Sequence, residues 1–162
     1  MRDMETYFED LSPCAYFGHF REKLKAVGWL ASGHLYPQRQ TELSETHFCQ
    51  LLRLLQCPWE PEHFLGSEAC RFCLATGNYD KRRRLERYGL VVHFGVSNLF
   101  VPGKDCVYVA PSMIAHYVDA HNYEPPNEFW EAVMSCPEMG SDSYKQALLI
   151  NGPDDKEWTG SL

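Results

Sequence analysis

No stretch of this 162-residue chain approaches the run of about 18 apolar residues that a membrane-spanning helix requires. The start, Met1-Arg2-Asp3-Met4-Glu5, is polar and acidic where a secretory signal needs a basic start and an apolar run, so a cytoplasmic protein is expected. Positive charge is also short. Fifteen Lys and Arg face 22 Asp and Glu, a formal net charge of -7 that opposes general affinity for nucleic-acid phosphates. Familiar catalytic signatures are missing as well. There is no Gly-x-Ser-x-Gly elbow, no Gly-x-x-x-x-Gly-Lys phosphate loop and no His-Glu-x-x-His helix. A nucleobase deaminase would need a His-x-Glu and a Pro before the Cys-x-x-Cys, but no His-x-Glu occurs and Ala69 precedes Cys70.

Cysteine is plentiful. Seven cysteines, an odd number that includes a Cys-x-x-Cys, suit a reducing compartment and a metal better than a disulfide framework. Cys70 and Cys73 have two residues between them, and His116 and His121, further along, have four. Two thiolates and two imidazoles meet the demand of a tetrahedral Zn²⁺ site, and four protein ligands leave no open position, which marks a structural metal. The pairing is long-range, with 42 residues between Cys73 and His116. On an ideal helix, residues five apart sit about 140° around the axis, so both imidazoles reach one ion only where the helix ends or tightens near His121. Asn122 and Pro125-Pro126 supply that ending. His93 or Cys106 are alternative ligands, and buried thiols beside surface histidines are the arrangement expected without a metal.

The chain is long enough for a core of its own, and 44% hydrophobic and 14% aromatic content argues against disorder. Leu24 to Leu30 reads as a strand ended by Ser32-Gly33. Glu42 to Gln56 is the clearest helix, with Phe48, Leu51, Leu52 and Leu55 on one stripe and Pro58 and Pro61 beyond its end. Strands are expected at Leu90–Phe94, Ser97–Val101 and Cys106–Ala110, then a helix capped by Ser112. Further helices follow Pro126 and either Ser141 or Ser143. The expected fold is α+β: a single domain over 1–150 with a small, mainly antiparallel sheet, three or four helices and a zinc-binding unit at 64–121 resembling a zinc finger. Residues 151–162 are expected to form a polar, mobile tail despite Trp158.

Several strings together resemble a family of small bacterial proteins classed as a domain of unknown function. They are Tyr7-Phe8-Glu9-Asp10-Leu11-Ser12-Pro13, Val27-Gly28-Trp29-Leu30, Asn98-Leu99-Phe100-Val101-Pro102-Gly103 and Tyr108-Val109-Ala110-Pro111-Ser112-Met113-Ile114-Ala115-His116-Tyr117. The likeness continues through His121, Pro125-Pro126-Asn127-Glu128-Phe129 and Cys136-Pro137-Glu138-Met139-Gly140-Ser141, so it spans Tyr7 to about Leu149. The resemblance brings no established reaction. The family's members resemble small cytosolic proteins encoded beside bacterial toxins or effectors, which implies an immunity or adaptor role. The stretch Lys81-Arg82-Arg83-Arg84-Leu85-Glu86-Arg87 is more basic than the resemblance leads one to expect.

Three functions follow as expectations. The first is a zinc-stabilised module that binds a protein, a basic one by charge. The second is a zinc hydrolase or transferase in which only three ligands bind and water takes the fourth place, with His93, Glu68, Asp119 or Glu124 as base or supporting partner. The third is a nucleic-acid binder using Lys81 to Arg87, a run that more often forms a solvated face. Cys136 before Pro137 is read as an inert buried thiol, Glu9 and Asp10 as turn chemistry, and the many aromatics as core.

Overall fold

A computed structural model describes residues 6–17, 22–61, 68–77 and 83–162. Its central element is a three-stranded sheet in the order β1-β5-β4, built from β1 (Leu24–Ala26), β4 (Asn98–Pro102) and β5 (Val107–Pro111). β4 and β5 form an antiparallel hairpin, with Leu99 opposite Ala110 and Val101 opposite Tyr108, and β1 adds to β5 in parallel. Every residue of β4 and β5 is buried. Such unbroken apolar runs belong to strands covered on both faces. A separate antiparallel hairpin pairs β2 (Arg84–Arg87) with β3 (Leu90–His93).

Strand alternation divides the interior in two. On one face Leu99, Val101, Tyr108 and Ala110 meet α1 (Glu45–Leu55), α3 (Ile114–Ala120) and α4 (Asn127–Ser135) through Phe48, Leu51, Leu52, Ile114, Val118, Phe129 and Val133. On the other, Leu24, Ala26, Phe100, Val107 and Val109 meet Tyr144 and Leu148 of α5 (Asp142–Asn151) and Trp158 of α6 (Lys156–Gly160). The stripe expected on α1 is thus the one that is buried. Caps set the helix starts: Ser44 Oγ accepts from His47 N at 3.3 Å, and Ser141 Oγ, rather than Ser143, accepts from Tyr144 N at 3.1 Å.

Four expectations are corrected. The described residues hold six α-helices rather than three or four, the additions being α2 (Arg71–Thr76) and α6. Ser112 does not cap α3. Its hydroxyl accepts from Val96 N and Ser97 N at 3.3 and 3.4 Å, and Met113 takes the cap position without a side-chain bond. The first strand stops at Ala26 because Gly28 turns the chain with φ of +78° beneath Ile114, where a Cβ would lie 2.9 Å from that side chain. Finally, residues 151–162 carry α6, whose Trp158 is 2% exposed.

The turn at Gly28 rests on Asp10. The Asp10 carboxylate accepts from Gly28 N at 3.0 Å and from the Tyr123 hydroxyl at 2.9 Å. Burial raises its pKa above the usual carboxylate value, against the lowering by those two donors. A raised folded-state pKa contributes stability that is present below the unfolded value and lost as pH rises through the folded one. Asp10→Asn keeps an acceptor oxygen and removes the titration. The variant is expected to flatten the fall in stability with rising pH across the carboxylate range, measured by urea unfolding at a series of pH values. An unchanged pH slope would remove Asp10 as its source.

Candidate metal centre

The four residues singled out by spacing converge. One donor atom from each of Cys70, Cys73, His116 and His121 lies within 4.8 Å of all the others. Cys73 Sγ stands 3.2 Å from His116 Nε2 and 3.3 Å from His121 Nε2, Cys70 Sγ 3.2 Å from His121 Nε2, and the two Nε2 atoms 3.2 Å apart. A tetrahedron with Zn–S of about 2.3 Å and Zn–N of about 2.0–2.1 Å has edges of about 3.3–3.8 Å. The donor set therefore fits a small cation, with both imidazoles presenting Nε2. These residues are positioned to hold a metal ion.

Local structure explains each half. Cys70 is the extended residue before α2, and Cys73 sits in the first turn, with Leu74 N donating to Cys70 O at 3.1 Å. Both sulfurs thereby leave the same end of one short helix. His116 lies within α3, while His121 is its C-terminal cap at φ -118°, and Asn122 follows in the left-handed region at φ +56°. This unwinding brings two imidazoles five residues apart onto one point, as the angular argument required.

Burial alone disfavours charge on these side chains. Burial lifts the Cys70 thiol to about 11 against the lowering by the Cys73 backbone N–H, and burial lowers His121. Packing alone thus favours neutral groups, and a bound cation would reverse the preference at sulfur. Rings complete the enclosure. Phe72 lies 5.2 Å from the His121 ring and Phe94 5.1 Å from that of His116.

Spacing did not reveal the strap that holds the end of α3. Arg39 donates from Nη1 to Val118 O at 3.1 Å, Tyr36 OH to His121 O at 3.0 Å, and Asn122 Nδ2 to Arg39 O at 3.1 Å. The first two bonds satisfy carbonyls at the end of α3, and the third ties Asn122 back to the strap. A second support joins the knuckle to the loop after β3, where Glu68 N donates to Gly95 O at 3.0 Å. Gly95 has φ of +68°, and a Cβ there would collide with the Glu68 backbone. Gly95→Ala is expected to cost about 1–3 kcal/mol through strain and to weaken metal retention, because residues 68–70 must move. Thermal unfolding together with chelator competition checks this; unchanged chelator sensitivity would separate Gly95 from the centre.

The remaining candidates fall elsewhere. His93 is exposed on β3, and Cys106 is buried just before β5, outside the donor set. Asp119 pairs with Arg87 at 2.7 Å, an exposed contact linking the β2–β3 hairpin to α3. Glu124 is held through its backbone, donating to Pro37 O at 2.9 Å. Glu68 lines a cavity of about 40 Å³ with Cys70, Cys73, Arg83, Phe94 and His116. Burial pushes the Cys136 thiol up to about 12, which suits an unreactive group. Of the basic segment, Arg84 pairs with Glu86 at 3.7 Å and the Arg87 guanidinium lies 5.5 Å from the Phe48 ring. Lys81 and Arg82 lie outside the described residues, as does Phe64, at the expected start of the zinc-binding unit.

A Cys2His2 centre joined to a small α+β fold defines the class of protein. Residues 6–134 match the family model described as Domain of unknown function (DUF7919), and the chain belongs to that family. No curated protein and no solved structure matches it. Among the described residues, no helix is long and apolar enough to cross a membrane.

Proposed function

We propose that this chain is a small zinc-stabilised protein-binding module of the cytoplasm, of immunity or adaptor type, in which the metal fixes the shape of a recognition surface. The observation that carries the reading is the closed donor set: two sulfurs and two nitrogens surround one point. A centre with four protein ligands has no place for substrate or water, so its contribution is to folding. The net charge of -7 favours a basic protein partner.

A zinc hydrolase or transferase is the competing reading, and the cavity shared by Glu68, Cys73 and His116 is what favours it. That reading requires one of the four ligands to detach. Elemental analysis and X-ray absorption at the metal edge separate the two. One zinc with two sulfurs and two nitrogens supports the module; an oxygen ligand supports the enzyme. In Co²⁺-substituted protein, a visible spectrum unmoved by azide or cyanide marks a closed site, whereas a shifted one marks an open position.

A further inference from the structure

The largest described cavity lies away from the metal centre and shares no residue with the cavity beside it. It is a cleft of about 580 Å³ between the end of the central sheet and α4. That size falls within the range of about 300–1,000 Å³ typical of ligand sites. Its walls carry opposite charges. Lys25 of β1 and Lys104 of the β4–β5 turn line the sheet side, and Glu128 and Glu131 line the helix side. Among the described residues neither lysine forms an ion pair with either glutamate, although all four border the same cleft.

One hydrogen bond orients a charge on the helix side of the cleft. Glu131 Oε1 accepts from Asn127 Nδ2 at 3.0 Å, one helical turn earlier, which orients its carboxylate. The Tyr108 hydroxyl, on a residue only 4% exposed, borders the cleft and reaches Glu128 Oε2 at 3.5 Å, the outer limit of a hydrogen bond. The Cys106 side chain is a second hydrogen-bond partner of that hydroxyl. Register places Lys25 directly beside Tyr108 across the β1–β5 pair, so an amine, a hydroxyl and two carboxylates face one volume.

Opposite charges that border one space without pairing are complementary to a ligand carrying both signs. A single ion would satisfy one wall and be repelled by the other. We propose that this cleft binds a short peptide by its two charged ends, the terminal carboxylate at Lys25 and Lys104 and the terminal ammonium at Glu128 and Glu131. The inference does not rest on the metal centre or on the module reading, since none of these residues belongs to either.

The probe is the free tripeptide trialanine, added to the full-length ¹⁵N-labelled protein and followed by amide chemical shifts. Saturable shifts at Lys104, Tyr108, Glu128 and Glu131 are expected. N-acetyl-trialanine, without the ammonium, and trialaninamide, without the carboxylate, should each bind at least tenfold more weakly to the unaltered protein. Glu131→Gln and Lys104→Gln, both at exposed positions, should each weaken trialanine at least tenfold while leaving the rest of the spectrum in place. Absence of saturable shifts at millimolar trialanine would overturn the proposal, as would equal binding of the blocked peptides.

Discussion

Cys73→Ser is expected to abolish metal retention and to lower the melting temperature in the same step. The sulfur of Cys73 lies 3.2 and 3.3 Å from the two histidine nitrogens, so its loss removes the ligand that faces both imidazoles. Serine is a poor replacement because its hydroxyl stays protonated where a thiolate would bind. The effect is large because binding free energy is folding free energy when the unfolded chain has no assembled site. Structural zinc in finger peptides contributes about 10–16 kcal/mol, against about 5–15 kcal/mol for the net stability of a domain. Even a loss of about 4 kcal/mol would lower the Tm of a chain this size by about 8–16 °C. Cys57→Ser is the control, since Cys57 is exposed and outside the donor set. Metal content by elemental analysis and Tm by calorimetry read the result. A Cys73→Ser protein that keeps one equivalent of metal and its Tm would disprove the assigned site.

The second large effect belongs to a residue far from that centre. Trp158→Ala should destabilise the protein by about 3–5 kcal/mol, the usual cost of emptying a buried aromatic site. The indole lies 5.7 Å from the Phe100 ring and 5.8 Å from that of Trp59, and its Nε1 donates to Leu148 O at 3.2 Å. The chain beneath is shaped to receive it. A Cβ on Gly152 would collide with the indole nitrogen, so the backbone there approaches the ring as only glycine permits. Asp155 caps the short helix by accepting from Trp158 N at 2.8 Å, which aims the side chain inward. Trp158→Phe should recover part of the loss, because it restores area without the hydrogen bond. Urea midpoints compare the variants. A change below about 1 kcal/mol for the alanine variant would mean that the last helix does not close this face of the sheet.

Both results bear on how far local pattern reaches. Helix α1 was legible because an apolar stripe and the prolines beyond its end agree within one stretch of chain, although the helix starts after its Ser44 cap rather than at Glu42. The β4–β5 hairpin was legible to within one residue at either end for the same reason. Trp158 was misjudged because its polar neighbours carry no periodicity. A five-residue helix with one buried ring gains its order from the surface it meets, and that surface is formed by Leu148 of the preceding helix and by Phe100 and Trp59, both distant in sequence.

The metal centre divides along the same line. The sequence by itself determined the donor types, the two half-sites and the need for α3 to end at His121, because ligand spacing and helical angle are properties of a few consecutive residues. It also determined the acidic balance and the missing catalytic motifs. Only the tertiary structure decided that the Cys half joins the His half across 43 to 51 residues, to the exclusion of His93 and Cys106. It alone revealed the strap at Tyr36 and Arg39, whose bonds end on backbone carbonyls that every residue possesses. It also placed lysines and glutamates on opposite walls of one cleft. The physical reason is common to all three: local geometry follows from chain connectivity, whereas contacts between distant segments depend on how the two faces of the sheet are covered.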